Sequence, residues 1–574
     1  MELKLSLKRL ANLNVLLSGL VLSTACTASK KEDLRPNIIF ILADDLGYMD
    51  VQEYAKRALS SNKEEMFYET PNIDRLINEG VAFDQAYACQ LSSPTRANLL
   101  TGKYAAKLGF TTATPLRDTY YNQNIPVPEG CYVHDVIYHS DNIAIEQAWL
   151  NGSSNTALPA GTSIDDGYNE ITIAEALKDY HSAFIGKWHV GGHGAKGYGP
   201  ADQGFEPIAW YDGGGSAYLN WQNNWNNKSK THFPEMPQAE WLIGDAGEMT
   251  GEEYMTDDLT QQALNYLDSR ANIKEQPFFL YFCHFAVHSP FQAKEKDKQH
   301  FESKSTKGWN NQGDPTYASM IKSLDESVGL ILNKLEELEL EENTLVIFMS
   351  DNGGIDGSVT PDGSITSNYP LKGGKANLTE GGIRVPLAFR WKGKIEGGKW
   401  CKTMVDCNDL FPTLVEAAGY DTTPYYNETK IDGRSILTLL NDTDNKKQSY
   451  SRDTYFWHYP FNVIYNNPFD NYPLTPHTAI REGDYKLIFD WYGRLRLFNI
   501  ANDISENHNL SKAMPEKTNE LFAKLMNWLT TNVEKTYWPK VNSDYNAKKE
   551  VRESPFINLV EIYNEGGDVA SRSN

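Results

Sequence analysis

Four apolar runs along the chain stop abruptly at polar clusters. Ile38 to Ala43, in PNIIFILADDLGYMD, is unbroken and ends at Asp44 and Asp45, with Gly47 just beyond. Leu345 to Met349, in NTLVIFMSDNGG, runs into Asp351 and Asn352. SAFIGKWHVGGH runs into Lys187 and His189, and PFFLYFCHFAVHSP runs towards His288. Short continuous apolar runs of this kind are the pattern of strands buried on both faces. Helix-like stretches lie between them: NIDRLINEGVAF, TIAEALKDY, YASMIKSLDESVGLILNKLEEL and MVDCNDLFPTLVEAAG. Strands alternating with helices predict an α/β fold with a large, mostly parallel sheet flanked by helices. In such sheets the functional crevice lies beyond the carboxyl ends of the strands. Each of the four polar clusters falls there.

After about residue 445 the pattern changes. RDTYFWHY, HTAIREGDYKLIFDWYG and RLRLFNIAND read as short antiparallel strands with turns, and EKTNELFAKLMNWLTTNVEK reads as an amphipathic helix. The expectation is a catalytic domain over 36–445 and a smaller α+β subdomain, antiparallel sheet plus helix, over 446–574. Residues 122–166 and the Gly/Trp/Asn-rich WYDGGGSAYLNWQNNWNNKSK read as long loops, which in a compact enzyme shape a substrate pocket. The tail beyond Ala547 carries no recognisable element.

The N-terminus reads as a targeting segment. Lys4, Lys8 and Arg9 precede the apolar VLLSGLVLSTAC, which is too short to span a bilayer comfortably. Cleavage after Ala25 leaves Cys26 first, as in bacterial lipoproteins, although Ser23 stands where Leu is usual. The expectation is a signal peptide over 1–25, a lipoprotein linker over 26–35, lipid on Cys26, and export to the periplasm or outer-membrane surface. Ser23-Thr24-Ala25 also suits simple secretion. A formal charge of −22 argues against nucleic acid or acidic membrane as the main partner, so contact with a membrane is expected only through the lipid. Besides Cys26 there are Cys89, Cys131, Cys283, Cys401 and Cys407, an odd set without zinc-type spacing; Cys401 and Cys407 are near enough in sequence to pair.

Asp44, Asp45, Asp351 and Asn352 form an all-oxygen donor set of the kind hard cations such as Ca²⁺ or Mg²⁺ take. Three clustered carboxylates without a cation would repel one another. Lys187 and His189 alternate with Trp188, so in extended chain they face the same way. Lys375 lies in the glycine-rich LKGGKANLTEGGIRVP. With Arg96 these cations could surround a tetrahedral oxyanion, while His189 and His288 transfer protons near neutral pH. Taken singly, each residue is as well explained by a cap, a turn or a core hydrogen bond; the joint pattern asks for a common site.

The stretch SSPTRANLLTGK resembles the activation motif of the sulfatase family, within the alkaline-phosphatase-like superfamily: Cys or Ser, any residue, Pro, any residue, Arg, then shortly Thr-Gly. Proline two places on marks Ser92 as the key residue; Cys89 does not fit, because Leu91 stands two beyond it. The resemblance runs in order through ADDLGY, GKWHVGGH, HSP, SDNGG and GGKANLTEGGIRVP, nearly the whole mature chain. It implies that Ser92 is oxidised to formylglycine by an anaerobic, radical-type sulfatase-maturating enzyme in a bacterial host. It further implies a metal, Ca²⁺ before Mg²⁺, held by Asp44, Asp45, Asp351, Asn352 and residue 92. Arg96, Lys187 and Lys375 would stabilise charge, with His288 as acid and His189 as base.

Ala376 and Asn377 depart from the family's more usual Gly-Thr. The substrate implied is a sulfated glycan, mucin-type or glycosaminoglycan, attacked in exo fashion at sulfated galactose or N-acetylhexosamine. His193, Trp210, Tyr211, Asp212 and His477 are candidate contacts by loop position. The alternatives are a phosphate or phosphonate monoester hydrolase of the same superfamily, and an inactive lipoprotein that only binds sulfated glycans.

Overall fold

The computed structural model describes residues 35–113, 131–132, 142–146, 150–151, 170–190, 199–211, 213–222, 225, 253–356, 365–461, 463–470 and 472–574. Within the unit Pro36–Asn574 the centre is an eight-stranded sheet. Its strands are β1 (Asn37–Ala43), β2 (Val81–Phe83), β3 (His181–Lys187), β4 (Glu206–Tyr211), β5 (Phe278–Cys283), β6 (Thr344–Ser350), β7 (Leu387–Arg390) and β8 (Lys399–Cys401). The order across the sheet is β8-β2-β7-β6-β1-β5-β3-β4.

Strands β6, β1, β5, β3 and β4 are mutually parallel. The edge beyond β6 reverses, with β7 antiparallel to both β6 and β2, and β8 again parallel to β2. The four long apolar runs are the four adjacent strands β6-β1-β5-β3, and every residue of β1, β5 and β6 is buried, as helices on both faces require.

Register decides what meets at the carboxyl ends. Ala43 lies opposite Ser350, so Asp44 and Asp351 leave adjacent strands side by side. Gly186 lies opposite Cys283 and Lys187 opposite Tyr211. Five helices matter for the site. They are α1 (Ser92–Thr101), α2 (Met255–Arg270), α3 (Pro315–Glu337), the single turn α4 (Glu380–Ile383) and α5 (Leu410–Ala417). The longest, α3, starts at Asp314, whose side chain accepts from the Tyr317 N–H, with Pro315 in the first turn where its missing donor costs nothing.

A second, four-stranded antiparallel sheet follows: β9 (Thr454–Tyr459), β10 (His477–Glu482), β11 (Tyr485–Asp490) and β12 (Arg494–Asn499), in sequence order. Helix α6 (Pro515–Asn532) covers it, with Trp528 stacked on Phe456 at 4.5 Å and Phe522 edge-on to Phe489 at 5.0 Å. On the other side the sheet reaches the first body, where Trp457 Nε1 donates to Ala88 O at 2.9 Å.

Some expected elements shrink. TIAEALKDY yields one capped turn, Ile173–Ala176, because the chain must turn at Lys178-Asp179 to enter β3. MVDCNDLFPTLVEAAG splits into a two-residue strand at Val405–Asp406, a tight turn at Cys407–Asp409 and α5. The tail beyond Ala547 holds two short helices, Leu559–Asn564 and Val569–Arg572. No helix among the described residues is long and apolar enough to cross a membrane.

Candidate active site

Ser92 opens α1 and is buried at its N-terminal turn. Its hydroxyl donates to Asp44 Oδ1 at 2.9 Å, lies 3.4 Å from Asn352 Oδ1, and accepts from Lys187 Nζ at 3.2 Å. Three ion pairs surround it: Lys187 with Asp44 at 2.7 Å, Lys375 with Asp45 at 2.7 Å, and Arg96 with Asp351 at 2.8 Å. Arg96, one turn beyond Ser92 on the same helix face, also donates to the Lys187 carbonyl at 2.7 Å, which locks α1 to the end of β3. His288 Nε2 is 3.6 Å from Asp45, and its Nδ1 lies 2.6 Å from the Ser289 carbonyl.

Asp44, Asp45 and Asp351 each offer an oxygen within 4.8 Å of the others. Asn352 Nδ2 donates to Asp45 Oδ1 at 2.8 Å, and its Oδ1 faces Ser92. Burial pushes the Asp44 carboxyl up to about 8; Lys187 opposes this and the neighbouring carboxylates Asp351 and Asp45 reinforce it. For Asp45, burial is outweighed by Lys375 and His288, which hold it below the usual carboxylate range. Asp351 is likewise held low by Arg96 and Lys187 against its burial. Burial and the nearby Lys375 lower His288 to about 3, so its ring is neutral at physiological pH.

Two positions here carry backbone strain: Asp45 has φ 61° and His189 φ 53°. Non-glycine residues rarely adopt this region, and such strain clusters at functional sites.

Of the residues singled out in the sequence, the structure gathers Asp44, Asp45, Ser92, Arg96, Lys187, His288, Asp351, Asn352 and Lys375 into one contact network. His189 follows Lys187 by two residues, with Gly214 against its Nε2. Trp210 and Tyr211 are buried at the end of β4 beside Lys187, Tyr211 stacking on Trp225 at 5.4 Å. His477 is buried in β10, where its Nδ1 faces the Thr475 carbonyl at 2.8 Å. It lines a small cavity with Asn377, Asp490 and Arg496, behind the Lys375 loop. His193, Asp212 and Cys26 lie outside the described residues. Cys401 and Cys407 are both free, buried thiols.

Sequence reasoning passed over the glycines of WYDGGGS as site residues. A Cβ on Gly214 would stand 3.2 Å from His189 Nε2, and one on Gly215 would stand 2.9 Å from His288 Nδ1. The backbone there comes close to both histidines only because side chains are missing. The triple glycine was itself the signal. Asp50 was passed over too: it accepts from Tyr317 Oη at 2.8 Å and Thr366 Oγ1 at 2.6 Å, and Tyr317 Oη also reaches the Asp45 carbonyl at 3.3 Å.

The family profile described as "Sulfatase" matches residues 36–420, and one described as "N-sulphoglucosamine sulphohydrolase, C-terminal" matches 374–535. A protein named "Sulfatase" from Formosa agariphila is 30% identical over 90% of this chain and 93% of its own length. An N-acetylgalactosamine-6-O-sulfatase of Bacteroides thetaiotaomicron is 26% identical over 90% of this chain and 98% of its own. Among solved structures, Ps i-CgsB in complex with k-i-k-neocarrahexaose superposes with a TM-score of 0.64 at 28% identity, covering 88% of this chain and 94% of that one.

Proposed function

The chain belongs to the sulfatase family and is a sulfuric ester hydrolase, and from that premise we propose that it removes sulfate from carbohydrates through a formylglycine made from Ser92. The observation that carries the reading is Ser92 at the buried head of a helix, touching Asp44, Asn352 and Lys187 together. An ordinary structural serine has no use for three such neighbours.

The donor set fits a hard divalent cation. Four oxygen-bearing side chains converge, and burial, reinforced by the neighbouring carboxylates Asp351 and Asp45, drives Asp44 towards its neutral form. Asp44, Asp45, Asp351 and Asn352 would hold the ion, and several protein oxygens suit Ca²⁺ better than Mg²⁺, which keeps more water. When bound, it supplies positive charge for the ionised nucleophile and the sulfate oxygens. The three ion pairs already balance one another, so that charge is left to match the anionic substrate and nucleophile.

The protein's own groups then divide the work. In its hydrated form the aldehyde at residue 92 presents two hydroxyls. One, ionised by release of its proton to solvent, attacks sulfur while the S–O bond to the sugar breaks, leaving a sulfate ester on residue 92. Lys187 and Arg96 hold the charge that develops there. Lys375 and His288, both facing Asp45, deliver the proton to the departing sugar oxygen. His189 takes the proton from the second hydroxyl, the bond from carbon to sulfate breaks, and the aldehyde returns. An unmodified serine ester has no second hydroxyl with which to do this.

The substrate class is a sulfated hexose or N-acetylhexosamine within a glycan, attacked at a chain end. The sugar class, though not the chain-end attack, is supported by a relative named for N-acetylgalactosamine 6-O-sulfate and a structural neighbour holding a neocarrahexaose. An anaerobic maturating enzyme would convert Ser92, and export with lipid on Cys26 would place the protein at the periplasm or outer membrane. Residues 36–445 form the catalytic domain in this reading and 446–574 the subdomain that backs it.

The test pairs two measurements on protein from a host with the maturating enzyme. Intact peptide mass at residue 92 should show the loss of two hydrogens, and one positional isomer among monosulfated galactose, GalNAc and GlcNAc should be strongly preferred. Full activity with an unmodified serine would overturn the nucleophile; turnover of aryl sulfates alone would overturn the glycan substrate.

A further inference from the structure

Just ahead of the Ser92 helix lies a second piece of chemistry that sulfate ester hydrolysis does not use. Cys89 precedes Ser92 by three residues and is 7% exposed; Cys407, in the turn before α5, is fully buried. Asn98 of α1 donates its Nδ2 to both sulfurs, at 3.4 Å each. Burial, with Cys89 and Asp406 nearby, pushes the Cys407 thiol well above its usual range. The Cys407 thiol points towards Asp406 Oδ1 at 3.7 Å, and Asp406 Oδ2 is buried without a hydrogen-bond partner. Burial raises the Asp406 carboxyl to about 7, which suits it to exchange a proton near neutrality. The constellation is therefore two thiols brought together on one amide, with a carboxylate base beside the more buried of them.

The spacing in sequence left open whether Cys401 pairs with Cys407. The geometry points instead to Cys89 and Cys407, and we propose that these two form a disulfide, a redox modification site behind the nucleophile. The oxidant is a small-molecule disulfide such as oxidised glutathione. Cys89, the more exposed thiol, loses its proton to solvent and attacks one donor sulfur, forming a mixed disulfide and releasing one small thiol. Cys407 then passes its proton to Asp406 and attacks the Cys89 sulfur, forming the Cys89–Cys407 bond and releasing the second small thiol. Two protein thiols are oxidised by two electrons, and the donor is reduced to two thiols.

The bond would brace the site. The Cys89 N–H donates to Thr95 Oγ1 at 2.9 Å, and that hydroxyl donates to the Asp351 carbonyl at 2.6 Å. Tying Cys89 to the turn before α5 therefore fixes the segment that presents Ser92 and Arg96. It also closes a long loop in the unfolded chain, which favours the folded state.

The test uses the folded full-length protein, equilibrated in glutathione buffers from fully reduced to fully oxidised. Samples are then alkylated, digested without reductant and weighed. A linked peptide carrying Cys89 and Cys407 should replace the two alkylated ones as oxidised glutathione rises, with Cys283 and Cys401 still alkylated and the melting temperature a few degrees higher. Cys407→Ser should trap glutathione on Cys89, and Asp406→Asn should slow linkage about tenfold without changing its end point. Alkylation of both Cys89 and Cys407 at every ratio, or glutathione on wild-type Cys89 with no linked peptide, would overturn the proposal. Neither readout depends on the state of residue 92, so this can fail while the sulfatase reading stands, and the reverse.

Discussion

Two clusters of buried charge in this molecule use the same residue types to opposite ends. Around Ser92, three carboxylates face three cations. Between α4 and the second sheet, Glu380 and Glu506 face Lys486 at 2.9 and 2.7 Å, with Arg481 3.6 Å from Glu380 and Tyr87 Oη donating to Glu380 at 2.8 Å. In both, burial drives a carboxyl upward: Asp44 to about 8, and Glu506 to about 7 against the pull of Lys486.

The difference lies in access. Lys486, Glu380 and Glu506 are at most 1% exposed, whereas the His288 side chain is 18% exposed and the Lys375 side chain 9%. The first cluster keeps one side for a ligand, and the second is closed by its own members. The closed cluster still serves the open one. Glu380 heads α4, whose Gly381 N–H donates to the Lys372 carbonyl at 2.9 Å and whose Gly382 carbonyl accepts from Gly353 at 2.9 Å. Lys375 and Asn352 thus stand on backbone that the second sheet bolts down. A Cβ on Gly353 would meet the Gly381 carbonyl at 1.8 Å, so only glycine allows the two segments to touch.

If the comparison holds, the clusters separate under mutation. Ser92→Ala should cost about 10⁴-fold or more in turnover while leaving the melting temperature nearly unchanged, as steady-state kinetics and calorimetry on the same preparation would show. Removing divalent ions with a chelator should lower turnover about 10³-fold, with recovery on adding Ca²⁺. Chelation that left both turnover and melting temperature untouched would break the parallel between charge and ligand.

Lys486→Met should do the opposite of Ser92→Ala. It strands two buried carboxyls and should cost about 3–5 kcal/mol of stability in denaturant titration, with turnover per folded molecule largely retained. A Lys486→Met protein of normal stability but dead activity would mean that the closed cluster works in the chemistry.

The smallest effect concerns His477, which burial lowers to about 4. Above the unfolded value near 6.5 its contribution is fully present; as pH falls towards 4 the unfolded chain takes up a proton the fold refuses. Relative to His477→Gln, wild-type stability should therefore fall by up to about 3 kcal/mol across that window. A raised KM for sugar sulfates with no change in that pH dependence would instead mark His477 as a substrate contact.

How much of this was legible beforehand depends on the range of the interaction. Ile38 to Ala43 and Leu345 to Met349 announced buried strands because continuous apolar runs have little other use, and the abrupt Asp44-Asp45 and Asp351-Asn352 endings announced polar chemistry. The amphipathic period of α6 was equally plain. TIAEALKDY was not, since its helical period was cut short by the turn into β3. Nor was the bolt: Lys486 and Glu506 lie 106 and 126 residues from Glu380 in sequence, and nothing local marks the three as neighbours.

The sequence by itself settled the long buried strands and the amphipathic helix α6, and which chemical groups stand at the strand ends, because periodicity and turn residues act over a few positions. The tertiary structure decided who meets whom. The parallel register of β1 and β6 sets Asp44 beside Asp351, the glycine backbone closes on the two histidines, and Cys407 shares the Asn98 amide with Cys89. Those outcomes follow from sheet order and packing between distant segments, which no window of the chain contains.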